Sequence, residues 1–108
     1  MRLQNKVAII TGGSRGIGFA TAETFLRHGA TVIITASNQE NADRAAESLR
    51  EKVPGAVVSG ISPDLHSLDN VIQHFREVEQ TYGTIDILVN NAGVSESTPL
   101  AAYTEELF

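Results

Sequence analysis

The sequence predicts an α/β fold in which helices cover both faces of a parallel sheet. Two features indicate it: short runs of apolar, mostly β-branched residues alternate with segments of helical periodicity, and only a few residues connect one segment to the next. Parallel strands need a crossover segment between them, so this βαβαβαβ order favours a parallel sheet with right-handed crossovers. With 108 residues, the chain is expected to form a single domain, residues 1–108, around one core.

The four predicted strands cover residues 7–10, 30–35, 56–61 and 85–89. The first, Val-Ala-Ile-Ile, is apolar at every position, which indicates a strand buried on both faces. The second, Ala-Thr-Val-Ile-Ile-Thr, is rich in the β-branched residues that strands favour.

Three helices are predicted between these strands. The first ends at Gly29, which is expected to adopt the left-handed conformation. A row of its residues recurs at helical spacing: Ile17, Ala20, Thr24 and His28. The second covers residues 38–52 and stops before Pro54-Gly55. It has one apolar stripe for burial: Ala42, Ala45, Ala46, Leu49 and Val53. The third begins after the N-cap Ser67 and ends at Gly83. Its apolar face comprises Leu68, Val71, Ile72, Phe75, Val78 and Tyr82.

Composition excludes several classes of function. The net charge of −5 argues against a nucleic-acid partner, which would favour a basic face. The chain has no cysteine, which excludes disulfides, thiolate metal sites and cysteine catalysis, and fits a cytoplasmic protein. The N-terminus lacks a signal-peptide core, and no apolar run approaches the roughly 18 residues of a membrane span. The three histidines lack the spacing of metal ligands, so no metal site is expected.

A glycine-rich turn follows the first strand directly and precedes the first helix. Its glycines at Gly12, Gly16 and Gly18, with Gly13 in addition, allow a sharp turn and a close backbone approach to a ligand. The N–H groups of the following helix favour an anion. The spacing differs from the general G-x-G-x-x-G fingerprint, and the Gly-Lys-Ser/Thr ending of a P-loop is missing. The turn predicts a site for a dinucleotide pyrophosphate, with a plain strand–helix connection as the alternative.

A second polar turn, Asn90-Asn91-Ala92-Gly93, follows the fourth strand. Open α/β sheets bind ligands at the carboxyl ends of their strands. If the first and fourth strands are neighbours, this turn faces the glycine-rich turn across a crevice. The alternative is simple turn chemistry, since asparagine tolerates the left-handed conformation.

Together, Thr-Gly-x-x-x-Gly-x-Gly at residues 11–18 and Asn-Asn-Ala-Gly at residues 90–93 resemble the short-chain dehydrogenase/reductase family, over residues 6–108. Within it, the runs Thr-Gly-Gly-Ser-Arg-Gly-Ile-Gly and Ile-Asp-Ile-Leu-Val-Asn-Asn-Ala-Gly are most similar to 3-oxoacyl-acyl-carrier-protein reductases. The resemblance implies a Rossmann-type, doubly wound parallel sheet, truncated after strand four and the start of a helix. It also implies an NAD(P)-dependent oxidoreductase that reduces a ketone to an alcohol by hydride transfer, with a 3-oxoacyl thioester as one candidate substrate.

The resemblance also implies roles for individual residues. The glycines would shape the pyrophosphate turn with contacts from Ser14 and Ile17, and Asp64-Leu65 would hold the adenine ring. The turn after strand four would border the adenosine ribose and the path to the nicotinamide. The residues expected against the cofactor are Gly12, Ser14, Arg15, Gly16, Ile17, Gly18, Ser37, Asn38, Asp64, Leu65, Asn91, Ala92 and Gly93.

The end of the second strand favours NADP over NAD. NAD sites carry an acidic residue about 20 positions beyond the glycine turn, whereas residues 35–38 are Thr-Ala-Ser-Asn. Arg15 can offer a bidentate guanidinium to the 2′-phosphate, and Ser37 and Asn38 add neutral donors. The alternative is that Arg15 is a solvated turn residue, since residues 36 and 37 are not basic.

Catalytic residues are not expected in this chain. The family uses a serine and a Tyr-x-x-x-Lys pair, in which the tyrosine is the general acid. The tyrosines here, Tyr82 and Tyr103, are followed four residues later by Asp86 and Leu107. We therefore expect a cofactor-binding part of a larger, homo-oligomeric enzyme, inactive alone. The alternatives are a non-catalytic dinucleotide-binding module and a self-associating structural half-fold.

Overall fold

The computed structural model describes residues 3–14, 16–64 and 67–90. Its elements are β1 (Val7–Thr11), α1 (Gly16–Arg27), β2 (Thr31–Thr35), α2 (Gln39–Lys52), β3 (Val58–Ile61), α3 (Leu68–Tyr82) and β4 (Ile87–Asn90). The predicted order is confirmed, and the bounds of the elements differ from the predicted ones by one or two residues. The predicted start of a further helix lies outside the described residues.

The four described strands form one parallel sheet in the order β3-β2-β1-β4. The chain moves from β1 outward to β3 and then returns to the other side of β1, where β4 pairs. The predicted adjacency of the first and fourth strands is therefore confirmed. In such sheets the crevice between the two directions of winding is the place where ligands bind.

Apolar side chains form one cluster on each face of the sheet. The larger cluster joins α1 and α2 to the sheet through Ala22, Leu26, Ala46 and Leu49. The smaller cluster lies on the opposite face, where Val78 of α3 packs with Val7, Ile9 and Ile33. Helices on both faces confirm the doubly wound, Rossmann-type arrangement.

The buried face of α2 agrees with its predicted stripe, because Ala42, Ala45, Ala46 and Leu49 are buried. The predicted row of α1 is different: Ile17 is 71% exposed, and the buried residues are Gly18, Ala22 and Leu26. Ala22 and Leu26 belong to the larger apolar cluster, and Phe19 and Phe25 pack against it, so an apolar face of α1 other than the predicted row contacts the sheet.

On α3, only part of the predicted apolar face is covered. Val78 is buried, while Leu68 is 74% and Ile72 is 38% exposed. The ends of the helix are as predicted: the side chain of Ser67 accepts a hydrogen bond from the backbone N–H of Asn70, and Gly83 has a φ of 96°. None of the helices in the described part of the chain is long and apolar enough to cross a membrane.

Candidate functional site

The glycine-rich turn is fixed to the end of β2. Gly12 and Gly16 have φ angles of 68° and 62°, a region that other residues adopt only with strain. The backbone N–H of Gly12 donates to Oγ1 of Thr35 at 3.1 Å, and that of Gly13 donates to the Thr35 carbonyl, also at 3.1 Å. Thr35 is buried. These two hydrogen bonds fix the position of the glycine-rich turn relative to the end of β2.

On its other side, the turn adjoins the end of β4. Thr11 pairs with Asn90 in the β1–β4 register. The single O–H of Thr11 is shared between Oδ1 of Asn90 at 2.9 Å and the Val89 carbonyl at 3.3 Å. The first residue of the Asn-Asn-Ala-Gly motif thus contacts the end of the strand that leads into the glycine-rich turn.

A cavity of about 630 Å³ opens beside the glycine-rich turn. We call it the turn cavity. It lies outside the carboxyl ends of β1 and β2, between the first turns of α1 and one face of α2. Its lining residues are Gly12, Ser14, Phe19, Thr35, Ala36, Ser37, Asn41, Arg44, Ala45 and Ser48.

A second cavity, of about 530 Å³, shares Ala36 and Ser37 with the turn cavity. We call it the β3 cavity. Its other lining residues are Ser62, Pro63, Asp64, Asn70 and His74. Because two lining residues are shared, the two cavities adjoin along the carboxyl edge of the sheet. The result is a crevice long enough to pass from the glycine-rich turn to the end of β3.

Apart from Asn38, the predicted site residues divide into three groups. Gly12, Ser14, Ser37 and Asp64 line the crevice. Gly16, Ile17 and Gly18 form the first turn of α1. Outside the described residues are Arg15, Leu65, Asn91, Ala92 and Gly93.

Asn38 has a structural role that the sequence analysis did not include. Its Oδ1 accepts the backbone N–H of Asn41 at 2.8 Å and caps the N-terminus of α2. The carbonyl end of this side chain is therefore engaged, and its amide N–H groups are the part suited to donate to a ligand.

The predicted site residues did not include three polar residues of α2 that line the turn cavity: Asn41, Arg44 and Ser48. With Ala45 they follow helical spacing on one face of α2, next to the buried stripe. Spacing alone does not single them out, because other polar residues of α2, such as Glu40, Asp43 and Glu47, also recur at helical intervals. Among the described lining residues of the turn cavity, Arg44 is the only cation and none is acidic.

Within the described part of the chain, no three His, Asp or Glu side chains cluster as metal ligands.

These features define a doubly wound α/β protein with a crevice at the carboxyl edge of its sheet, over the ends of β1, β2 and β3. The family model for short chain dehydrogenase matches residues 6–108. The chain therefore belongs to the short-chain dehydrogenase/reductase family, as its two motifs predicted.

Curated relatives cover the whole range of the chain. It is 47% identical to a 3alpha-hydroxysteroid dehydrogenase of Mediterraneibacter gnavus, over 100% of this chain and 43% of that protein. It is 44% identical to the 3-oxoacyl-[acyl-carrier-protein] reductase FabG of Chlamydia muridarum, over 96% of this chain and 42% of that protein. The chain thus spans less than half the length of these relatives.

Two solved structures of oxidoreductases are also similar to the chain over most of its length. A metagenomic short-chain oxidoreductase in complex with NADP superposes with a TM-score of 0.79 at 33% identity, over 94% of this chain and 46% of that one. The 2-keto-3-deoxy-D-gluconate dehydrogenase of Streptococcus agalactiae superposes with a TM-score of 0.77 at 38% identity, over 92% of this chain and 36% of that one.

Proposed function

We propose that the protein is an NADP-dependent oxidoreductase that interconverts a ketone and a secondary alcohol by hydride transfer, and that this chain supplies its cofactor-binding part. One observation carries the proposal. The glycine-rich turn opens, with positive φ at Gly12 and Gly16, onto a cavity whose wall at the end of β2 has no carboxylate. Such a wall accommodates a 2′-phosphate, which an acidic residue would repel.

The residues would hold the cofactor along the crevice. The N–H groups of the first turn of α1 would bind the pyrophosphate, since those of Gly12 and Gly13 donate to Thr35 and fix the shape of the turn. Ser37, the amide of Asn38 and Arg15 would bind the 2′-phosphate. Asp64 and Leu65 would hold the adenine, and Asn91, Ala92 and Gly93 would border the ribose and the nicotinamide. When bound, the cofactor supplies or accepts the hydride.

The substrate class comes from the names of relatives. They refer to a hydroxysteroid, to a 3-oxoacyl group on acyl-carrier protein, and to galactitol. The chemistry that these have in common is a secondary alcohol or the corresponding ketone. A 3-oxoacyl thioester is the candidate that the two motif runs favour.

We also propose that this chain binds the cofactor without turnover. Tyr82 is not suited to be the proton donor, since its hydroxyl lies 2.7 Å from Oγ of Ser59 and its ring packs against the smaller apolar cluster. Its side chain lines neither of the two cavities. The proton donor would have to come from outside these 108 residues.

Calorimetric titration with NADPH and NADH tests the proposal. We expect NADPH to bind about tenfold or more tightly than NADH, because charge-assisted hydrogen bonds to a 2′-phosphate contribute about 1.5–3 kcal/mol. The control is Ser37→Asp, which places a carboxylate at the end of β2 and should reverse the preference. Equal affinities of the unchanged protein would contradict the NADP assignment. Absence of binding by both nucleotides would favour the self-associating half-fold.

A further inference from the structure

We propose that Arg44 of α2 is a specificity-determining residue that binds the 2′-phosphate of the cofactor, and that Glu40 holds its guanidinium while the site is empty of phosphate. This inference rests on the proposed function and adds a residue to it. Its basis is the lining of the turn cavity, in which Arg44 lies together with Gly12, Ser14 and Ser37.

The charge of a 2′-phosphate calls for a cationic partner. A 2′-phosphate carries close to two negative charges and needs a cation nearby. Residues 36 and 37, at the end of β2, are alanine and serine. Among the described lining residues of the turn cavity, Arg44 is the only cation. Among the described residues, the basic group of the cavity is thus supplied by the helix that follows β2, in addition to the Arg15 proposed above.

Arg44 is paired with Glu40 in the structure. Its Nη2 lies 2.6 Å from Oε1 of Glu40, one helical turn earlier. Both side chains are largely exposed, at 72% and 71%. An exposed i,i+4 ion pair of this kind contributes little to stability, because water screens it and both side chains lose freedom. Transfer of the guanidinium from one carboxylate oxygen to a phosphate with more charge is therefore favourable.

Ser37 and the start of α2 lie beside the turn cavity. Ser37 lines both cavities, so a phosphate bound at Ser37 lies where the turn cavity and the β3 cavity meet. Asn38 caps α2 at the same point. The positive end of the α2 dipole therefore faces the same region as the side chains of Ser37 and Arg44.

A matched control exists on α1. Arg27 also forms an i,i+4 ion pair, with Oε2 of Glu23 at 2.8 Å, and it is 54% exposed. Arg27 additionally donates to the Lys52 carbonyl at 3.4 Å and lines neither cavity. Arg27→Gln therefore removes the same charge and the same kind of pair away from the crevice.

The experiment measures the affinities of NADPH and NADH, and of adenosine 2′,5′-bisphosphate and 5′-AMP, for the unchanged protein and three variants. Arg44→Gln should weaken NADPH and the bisphosphate about tenfold, and leave NADH and 5′-AMP within about twofold. Glu40→Gln should strengthen the two 2′-phosphate ligands about twofold. Arg27→Gln should change none of the four.

Other outcomes overturn the inference. If Arg44→Gln weakens all four ligands equally, Arg44 shapes the cavity and does not recognise the 2′-phosphate. If Arg44→Gln leaves NADPH unchanged, Arg44 does not contact the cofactor, while the proposed function still holds. If the unchanged protein binds none of the four ligands, the proposed function fails and the inference fails with it. Thermal melting of each variant, expected to match the unchanged protein, separates these effects from loss of the fold.

Discussion

Replacing Gly12 with valine is expected to weaken NADPH binding about 100-fold or more while the chain remains folded. Gly12 has a φ of 68°, which a β-branched residue adopts only with strain. It also lines the turn cavity, so the valine methyls would occupy the place that the cofactor must approach. The measurement is a calorimetric titration, with circular dichroism to verify the fold.

Gly55→Val is the matched control for this variant. Gly55 has a φ of 83°, and an added Cβ would meet nothing within 4 Å. It therefore imposes the same kind of backbone strain, about 1–2 kcal/mol, in the loop between α2 and β3. We expect a small loss of stability and unchanged affinity. If both variants bind NADPH equally well, the glycine-rich turn is not the binding site.

Replacing Gly60 with alanine is expected to destabilise the fold by about 3 kcal/mol, the upper range for overpacking a core. Gly60 lies in β3, directly under α2. An added Cβ would lie 2.5 Å from the carbonyl carbon of Ala42 and 2.8 Å from its Cβ, with the carbonyl oxygen closer still. Backbone atoms cannot move aside as a side chain can, so α2 must shift as a whole. Thermal unfolding should show a midpoint about 10 °C or more lower.

A shift of α2 in the Gly60→Ala variant also changes the turn cavity. The wall of the turn cavity formed by Asn41, Arg44, Ala45 and Ser48 moves with α2. We therefore expect Gly60→Ala to weaken NADPH binding as well. Gly83→Ala is the comparison, since its φ of 96° adds strain in open space. A Gly60→Ala midpoint no lower than that of Gly83→Ala would show that α2 does not pack closely on β3.

The strands and helices were predictable where burial produces a simple pattern of apolar residues. The strands β1 and β2 are apolar throughout because both of their faces are buried, and the stripe of α2 is apolar because one face is buried. The face of α1 was predicted from the wrong row of residues, since Ala22 and Leu26 lie in the larger apolar cluster with Phe19 and Phe25 packed against it. The exposed fraction of Leu68 likewise depends on what packs against α3, which the local sequence does not contain.

The glycine-rich turn of the candidate site was predictable, because its backbone conformation requires particular residues. Positive φ angles at Gly12 and Gly16 require glycine, so the turn is visible as a motif. The position of Arg44 in the turn cavity was not predictable, because in the sequence a charged helix residue that lines a cavity looks the same as one that faces solvent. Its place in the cavity depends on how α2 packs beside the turn, a tertiary relation. The hydrogen bonds from the glycine-rich turn to Thr35 were not predictable either, because they depend on how β1 and β2 lie side by side.

The central claim is that the dinucleotide binds at the carboxyl edge of the sheet, and a two-dimensional ¹⁵N–¹H NMR titration with NADPH tests it most directly. The glycine amides form two sets for this purpose. Gly12, Gly13 and Gly16 lie at the carboxyl edge, while Gly29, Gly55 and Gly83 lie in the loops that precede β2, β3 and β4 at the opposite edge. We predict large shift changes in the first set and small ones in the second. Changes confined to the second set, or an unchanged spectrum at saturating NADPH, would contradict the claim.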